Sequence, residues 1–189
     1  ELKANVVTFP AFLAKLIADG KLAVKKGNTE LLGKLNAFLA KIKNDGTYEA
    51  IMNKYFGDGT PTAVKSAALD PAKDQLVVAT NAAFEPFEYT MGEDYYGIDM
   101  EIAQLLADEM GLELVIDDMD FDMVVGAVGK QGVDIAMSGI TITAERMNVI
   151  NFSTPYYTEA IVCVCKADDT SLDAVGTVVD LLNVICAIN

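Results

Sequence analysis

Apolar and polar positions change period several times along this 189-residue chain, and each change marks an element. From Gly97 to Gly111, apolar residues fall at Ile98, Ile102, Leu105, Leu106 and Met110, the spacing of one helical face, and Gly111 supplies the stop. Leu112 to Ile116 is a short apolar run suited to a buried strand, Phe121 to Lys130 has helical spacing, and Val133 to Met137 reads as a strand. With Leu76 to Thr80 as the first strand, the units alternate strand and helix. That order predicts an α/β fold, a three-layer α/β/α single lobe with a mostly parallel sheet. Ligands in such sheets sit beyond the carboxyl ends of the strands, which singles out Asn81, Phe84, Met119 to Phe121 and Ser138 to Thr143.

Earlier in the chain, Lys21 to Asn28 reads as a strand and turn, and Thr29 is expected to cap a helix whose stripe is Leu31, Leu32, Leu35, Phe38, Leu39 and Ile42. A second short helix, Tyr48 to Phe56, ends at Gly57. Thr60 to Lys73 is small, polar and proline-bearing, the makeup of a linker. At the two ends, Ala4 to Phe9 and Asn183 to Ile188 read as strands, and Pro10 to Asp19 and Leu172 to Leu182 as helices.

Composition narrows the function. With 52% hydrophobic and 22% charged residues the chain can bury a core, and its formal charge of −14 argues against nucleic acid or an anionic membrane as partner. There is no histidine, and the three cysteines form no C-x-x-C pair, so the usual zinc patterns and a His-based triad are absent and no cofactor is expected. Cys163 and Cys165 share one face of a strand and are expected reduced, as is Cys186. Asp117, Asp118, Asp120 and Asp122 lack the glycine and glutamate of a calcium loop and read as a solvated turn. The apolar stretch Ala174 to Ile188 is too short to span a bilayer, and the residues from Glu1 onward show neither a basic n-region nor a long apolar h-region, so no signal peptide is visible in them.

The most chemically specific stretch is Ser138-Gly-Ile-Thr-Ile-Thr-Ala-Glu-Arg146, followed by Asn151-Phe-Ser-Thr-Pro-Tyr-Tyr157. A strand opens there into a turn of small residues that exposes backbone N–H groups, and Arg146 adds a planar fork of donors suited to a carboxylate. The alternative is a helix cap whose arginine pairs with Glu145 or Asp122. Together with Gln75 to Tyr89, Tyr96 to Ala103, Phe121 to Val128 and Val133 to Gly139, in this order and spacing, the stretch resembles the first lobe of the bacterial amino-acid-binding proteins that serve ABC importers. The resemblance implies a flavodoxin-like, periplasmic binding protein-like lobe. It assigns a ligand α-carboxylate to Arg146, Thr141 and the Ser138–Gly139 turn, aromatic walls to Phe84 and Phe121, and a polar ligand contact to Asn81, where relatives often carry an aspartate. Phe84 and Phe121 also read as core residues, and Asn81 as a strand-end turn residue.

Lys21 to Gly57, ending in Tyr48-Glu-Ala-Ile-Met-Asn-Lys-Tyr-Phe-Gly57, resembles the C-terminal end of the same receptors. The family's tail thus precedes its head, which implies a circular permutation, with 1–59 as tail, 60–73 as linker, 74–170 as head and 171–189 as a replacement or closing segment. No counterpart of the second lobe's Gly-x-x-x-Gly-Thr loop or ammonium-binding aspartate is found, which reads as an engineered single lobe. The expectation is a non-catalytic amino-acid-binding module, periplasmic by resemblance, with binding weak or lost and a homodimer through the former interlobe surface as one way to cover it. The alternatives are a scaffold with no ligand and a dehydratase-like enzyme of the same fold.

Overall fold

The structure is a computed structural model that describes residues 2–6, 19–158, 162–166 and 170. The chain divides into two compact units, Glu1–Ala18 with Thr158–Asn189, and Asp19–Tyr157. Along the chain the described strands are β1 (Leu2–Val6), β2 (Asp19–Gly20), β3 (Ala23–Lys25), β4 (Gln75–Thr80), β5 (Ala83–Phe84), β6 (Glu88–Met91), β7 (Asp94–Tyr96), β8 (Glu113–Asp118), β9 (Ile135–Ala136), β10 (Ile150–Phe152), β11 (Tyr157–Thr158) and β12 (Val162–Lys166). The helices are α1 (Thr29–Asn44), α2 (Thr47–Phe56), α3 (Ile98–Met110), α4 (Phe121–Ala127) and α5 (Ala144–Val149). In the smaller unit, β1 pairs antiparallel with β12, Ala4 opposite Val164. The expected helices at 10–19 and 172–182, the expected strand at 183–188 and any pairing of Cys186 lie outside the described residues, apart from Asp19, which is in β2.

The larger unit is an α/β lobe built on a five-stranded sheet of order β10-β3-β9-β4-β8. β4 runs parallel to both β8 and β9, as the alternating pattern predicts, while β3 and β10 join antiparallel at one side. Period-2 alternation in the strands makes the three layers. Leu76 and Val78 of β4, Leu114 and Ile116 of β8, and Val24 of β3 face a core filled by α1, α2 and α3, to which α1 gives Leu35, Phe38, Leu39 and Ile42. Val77, Ala79, Val115 and Ala23 point the other way, onto Val124 of α4, Ile140 and Ile150. At about 1.5–3 kcal/mol for each fully buried aliphatic or aromatic side chain, these stripes dominate what holds the helices to the sheet.

Local signals shift slightly. Asn28, not Thr29, caps α1, because its Oδ1 accepts the Leu31 N–H at 3.1 Å and Thr29 is already helical. α4 stops at Ala127, short of the expected Lys130, where Val128 turns extended and Gly129 takes φ +74°. α3 ends at Gly111, whose φ of +69° gives the left-handed cap that its sequence predicts.

The connector at residues 60–73 is closely pinned. Val64, 3% exposed, forms an antiparallel bridge with Tyr95. The Ser66 Oγ accepts the Ile116 N–H at 2.8 Å, and the Ala67 N–H donates to the Leu114 carbonyl at 2.9 Å. Both partners lie on the side of β8 away from β4.

Candidate functional site

Beyond the carboxyl ends of β4, β8 and β9, the chain gathers the residues singled out from sequence. β4 delivers Asn81, whose backbone N–H donates to the Ser138 Oγ at 3.2 Å and whose Nδ2 donates to the Met119 carbonyl at 2.9 Å, tying the ends of β4, β9 and β8 together. Phe84, 43% exposed, stacks on buried Phe87 with centroids 5.6 Å apart. Gly139 adopts φ +51°, and a Cβ there would lie 3.4 Å from the Phe84 ring, so turn and aromatic are in direct apposition.

Arg146 lies on α5. Thr143 caps this helix, its Oγ1 accepting the Arg146 N–H at 3.1 Å. The Arg146 Nη1 donates to the Thr141 carbonyl at 2.9 Å, and the guanidinium carbon sits 5.7 Å from the centre of the Phe121 ring, which is itself 40% exposed. Among the described residues the guanidinium forms no ion pair with Glu145 or Asp122, the alternative partners. Phe121, Asp122, Val125, Gly126, Glu145, Arg146 and Val149 line an open concavity of about 340 Å³. The amides of residues 139–143 donate to no acceptor among the described residues. The arrangement therefore offers a planar cation, an aromatic face and a run of backbone donors, which suits an anion with an apolar neighbour.

Ser138 differs from the rest. It is 3% exposed, and its hydroxyl donates inward to the Glu88 Oε1 at 2.9 Å. Glu88 and Asp99 are fully buried, and the Tyr156 hydroxyl donates to Asp99 at 2.6 Å. Burial, with Asp99 beside it, holds the Tyr156 hydroxyl well above the usual phenol range. Sequence reading missed these acids, because Glu88 in Phe-Glu-Tyr and Asp99 in a helical first turn look like solvated positions. Tyr89 stacks with Tyr96 at 5.9 Å and Tyr157 with Phe56 at 5.9 Å, packing roles for both. Among the described residues no acidic or cysteine cluster could hold a metal, and no helix is long and apolar enough to cross a membrane.

Comparison with known proteins finds relatives that match part of the chain. The arginine-binding extracellular protein ArtP of Bacillus subtilis is 36% identical over 109 residues, 58% of this chain and 43% of that one. The cyclohexadienyl dehydratase of Pseudomonas aeruginosa is 39% identical over 82 residues, 43% of this chain and 31% of that one. The arginine-bound form of truncated ArgBP from T. maritima aligns with a TM-score of 0.42 and 38% identity, covering 44% of this chain and 40% of that one. The chain thus spans less than half the length of these relatives. The profile described as bacterial extracellular solute-binding proteins, family 3, matches residues 4–58 and 76–186, well over half of the sequence. The chain belongs to that family, the extracellular solute-binding proteins whose amino-acid-binding members serve ABC importers.

Proposed function

We propose that residues 19–157 form a non-catalytic lobe that takes the α-carboxylate of an amino acid. The observation that carries this reading is the Arg146 guanidinium, held by the Thr141 carbonyl at 2.9 Å and laid against Phe121, beside the undonated amides of 139–143. Arg146 and those amides are the carboxylate donors, Phe84 and Phe121 the apolar walls, and Asn81 and Gly139 the polar edge. The arginine-binding names of several relatives make L-arginine the first ligand to try. A lobe that meets its ligand on one open side loses burial and contacts together, so affinity in the millimolar range is expected, about −4 kcal/mol. Titrating labelled protein with L-arginine should shift the amides of Gly139, Thr141 and Arg146, and Arg146→Ala should abolish those shifts without loss of peak dispersion. Shifts unchanged in Arg146→Ala, or none in the wild type, would leave a scaffold without a ligand.

We read the segment order as a circular permutation. The two profile matches flank residues 59–75, and this connector runs along the lobe it rejoins, Val64 bridging Tyr95 and the Ala67 N–H donating to the Leu114 carbonyl at 2.9 Å. A short surface join of this kind is what makes such a rejoining cheap. An engineered origin fits the same order. The dehydratase relative supports enzymatic activity less well than binding, since the match covers only 31% of that enzyme and this chain has no histidine to serve as a general acid. An extracytoplasmic placement follows from the relatives' names. The exposed rings of Phe84 and Phe121 favour a weak homodimer through the same face, and light scattering at rising concentration would detect it.

A further inference from the structure

The hydroxyl of Ser138 belongs to the candidate site by position, yet its bonds run away from the ligand face. It has one proton to give, and Glu88 takes it at 2.9 Å. Its oxygen in turn accepts the Asn81 N–H at 3.2 Å. Ser138 is 3% exposed and Glu88 fully buried, with Glu88 holding a further interaction of its own. Met137, next to Ser138, donates to the Ala79 carbonyl at 3.0 Å, and the Asn81 side chain reaches the Met119 carbonyl. The serine is therefore one knot in a net that fixes the ends of β4, β8 and β9 against one another.

Building on the carboxylate-binding reading, we infer that Ser138 is a positioning residue and not a ligand contact: Glu88 anchors its hydroxyl, the hydroxyl oxygen anchors the Asn81 amide, and the spacing of β4 and β9 at the site is set from inside the lobe. A ligand carboxylate then draws its donors from the 139–143 amides and Arg146 alone. The Ser138 side chain cannot swing outward without breaking its buried bonds to the Glu88 Oε1 and the Asn81 N–H, which makes the turn costly. The specificity of the polar wall consequently resides in backbone geometry, not in a serine proton.

Amide exchange on the whole labelled chain tests this directly. Ser138→Ala should speed exchange at Asn81 at least tenfold relative to Val78 in the middle of β4, and Ser138→Thr, which keeps the hydroxyl, should return it to the wild-type value. If Ser138→Ala does not fold, Ser138→Cys replaces it, and the same acceleration is expected because sulfur is a weak acceptor. Unchanged Asn81 exchange in these variants overturns the inference, the more so if L-arginine binding weakens tenfold at the same time, since the hydroxyl would then be a ligand donor. If L-arginine leaves the wild type untouched while Asn81 responds as described, the positioning role stands and the carboxylate-binding reading falls.

Discussion

Replacing Glu101 tests whether one buried carboxylate clamps the larger unit together. Glu101 is 6% exposed; its Oε1 accepts from the Tyr55 hydroxyl at 2.8 Å and from the Thr62 N–H at 3.0 Å, and its Oε2 meets the Lys54 Nζ at 2.5 Å. Three separate parts of the chain, α2, the connector and α3, thus converge on one side chain. Removing one member of a buried pair costs about 3–5 kcal/mol, because the partner's charge and donors are left behind. The Lys54 side chain is 29% exposed, so water recovers part of its solvation and the low end applies, about 3 kcal/mol for Glu101→Ala. Glu101→Gln keeps the shape and the acceptor that serves Tyr55 and Thr62, but sets an amide against Lys54, and should cost about 1.5–2 kcal/mol, the range of a hydrogen bond to a charged group. All seven tyrosines lie between residues 48 and 157 and there is no tryptophan, so tyrosine fluorescence in a urea titration reads the larger unit alone. An alanine variant that loses less than about 1 kcal/mol, or a glutamine variant as damaged as the alanine, would refute the reasoning.

Gly97 takes φ +126°, and a Cβ there would stand 2.0 Å from the Phe87 carbonyl oxygen, so Gly97→Ala should cost about 3 kcal/mol or more and abolish the cooperative fluorescence transition at 37 °C. Burial pushes the Tyr48 hydroxyl up to about 12 from 10.0 and also raises Tyr55 and Tyr156. The unfolded chain therefore loses these protons first, and stability should be intact below pH 10 and fall as pH rises through 10 towards 12, measured by urea titration at each pH. Asp134 is raised from 3.8 by burial, against the lowering effect of the Val77 N–H it accepts at 2.9 Å. Its contribution is present below pH 3.8 and lost above, so Asp134→Asn should raise the melting temperature at pH 7 and forfeit that gain near pH 3.

What could be read from sequence was whatever has a period or a local stop. The stripe from Ile98 to Met110 with Gly111 after it specifies α3, because both signals act within one helix. The placement of the candidate residues was legible for a similar reason: Asn81, Phe84, Phe121 and the Ser138–Arg146 turn all follow strand ends, and the strand ends are visible in the apolar runs. The polar interior was not. Asp99 and Glu101 sit in the acidic first turn of α3, where a helix normally shows charge to water. Their burial depends on Tyr156, Tyr55, Lys54 and Thr62, which arrive from at least 39 residues away and have no local signature. Ser138 shows the same limit, since its residue type fits a ligand contact and only the placement of Glu88 turns its proton inward.

The pinned connector also bears on how the protein behaves in company. An outermost strand normally presents a row of unsatisfied amides and carbonyls that a second chain can extend into a shared sheet. Ser66 and Ala67 occupy that row on β8, using the Ile116 N–H and the Leu114 carbonyl. A connector shortened enough to pull these two residues away would keep the chain joined and the core filled, yet would convert β8 into a template for self-templated aggregation. The length of this segment is thus constrained by colloidal behaviour as well as by the distance it has to bridge.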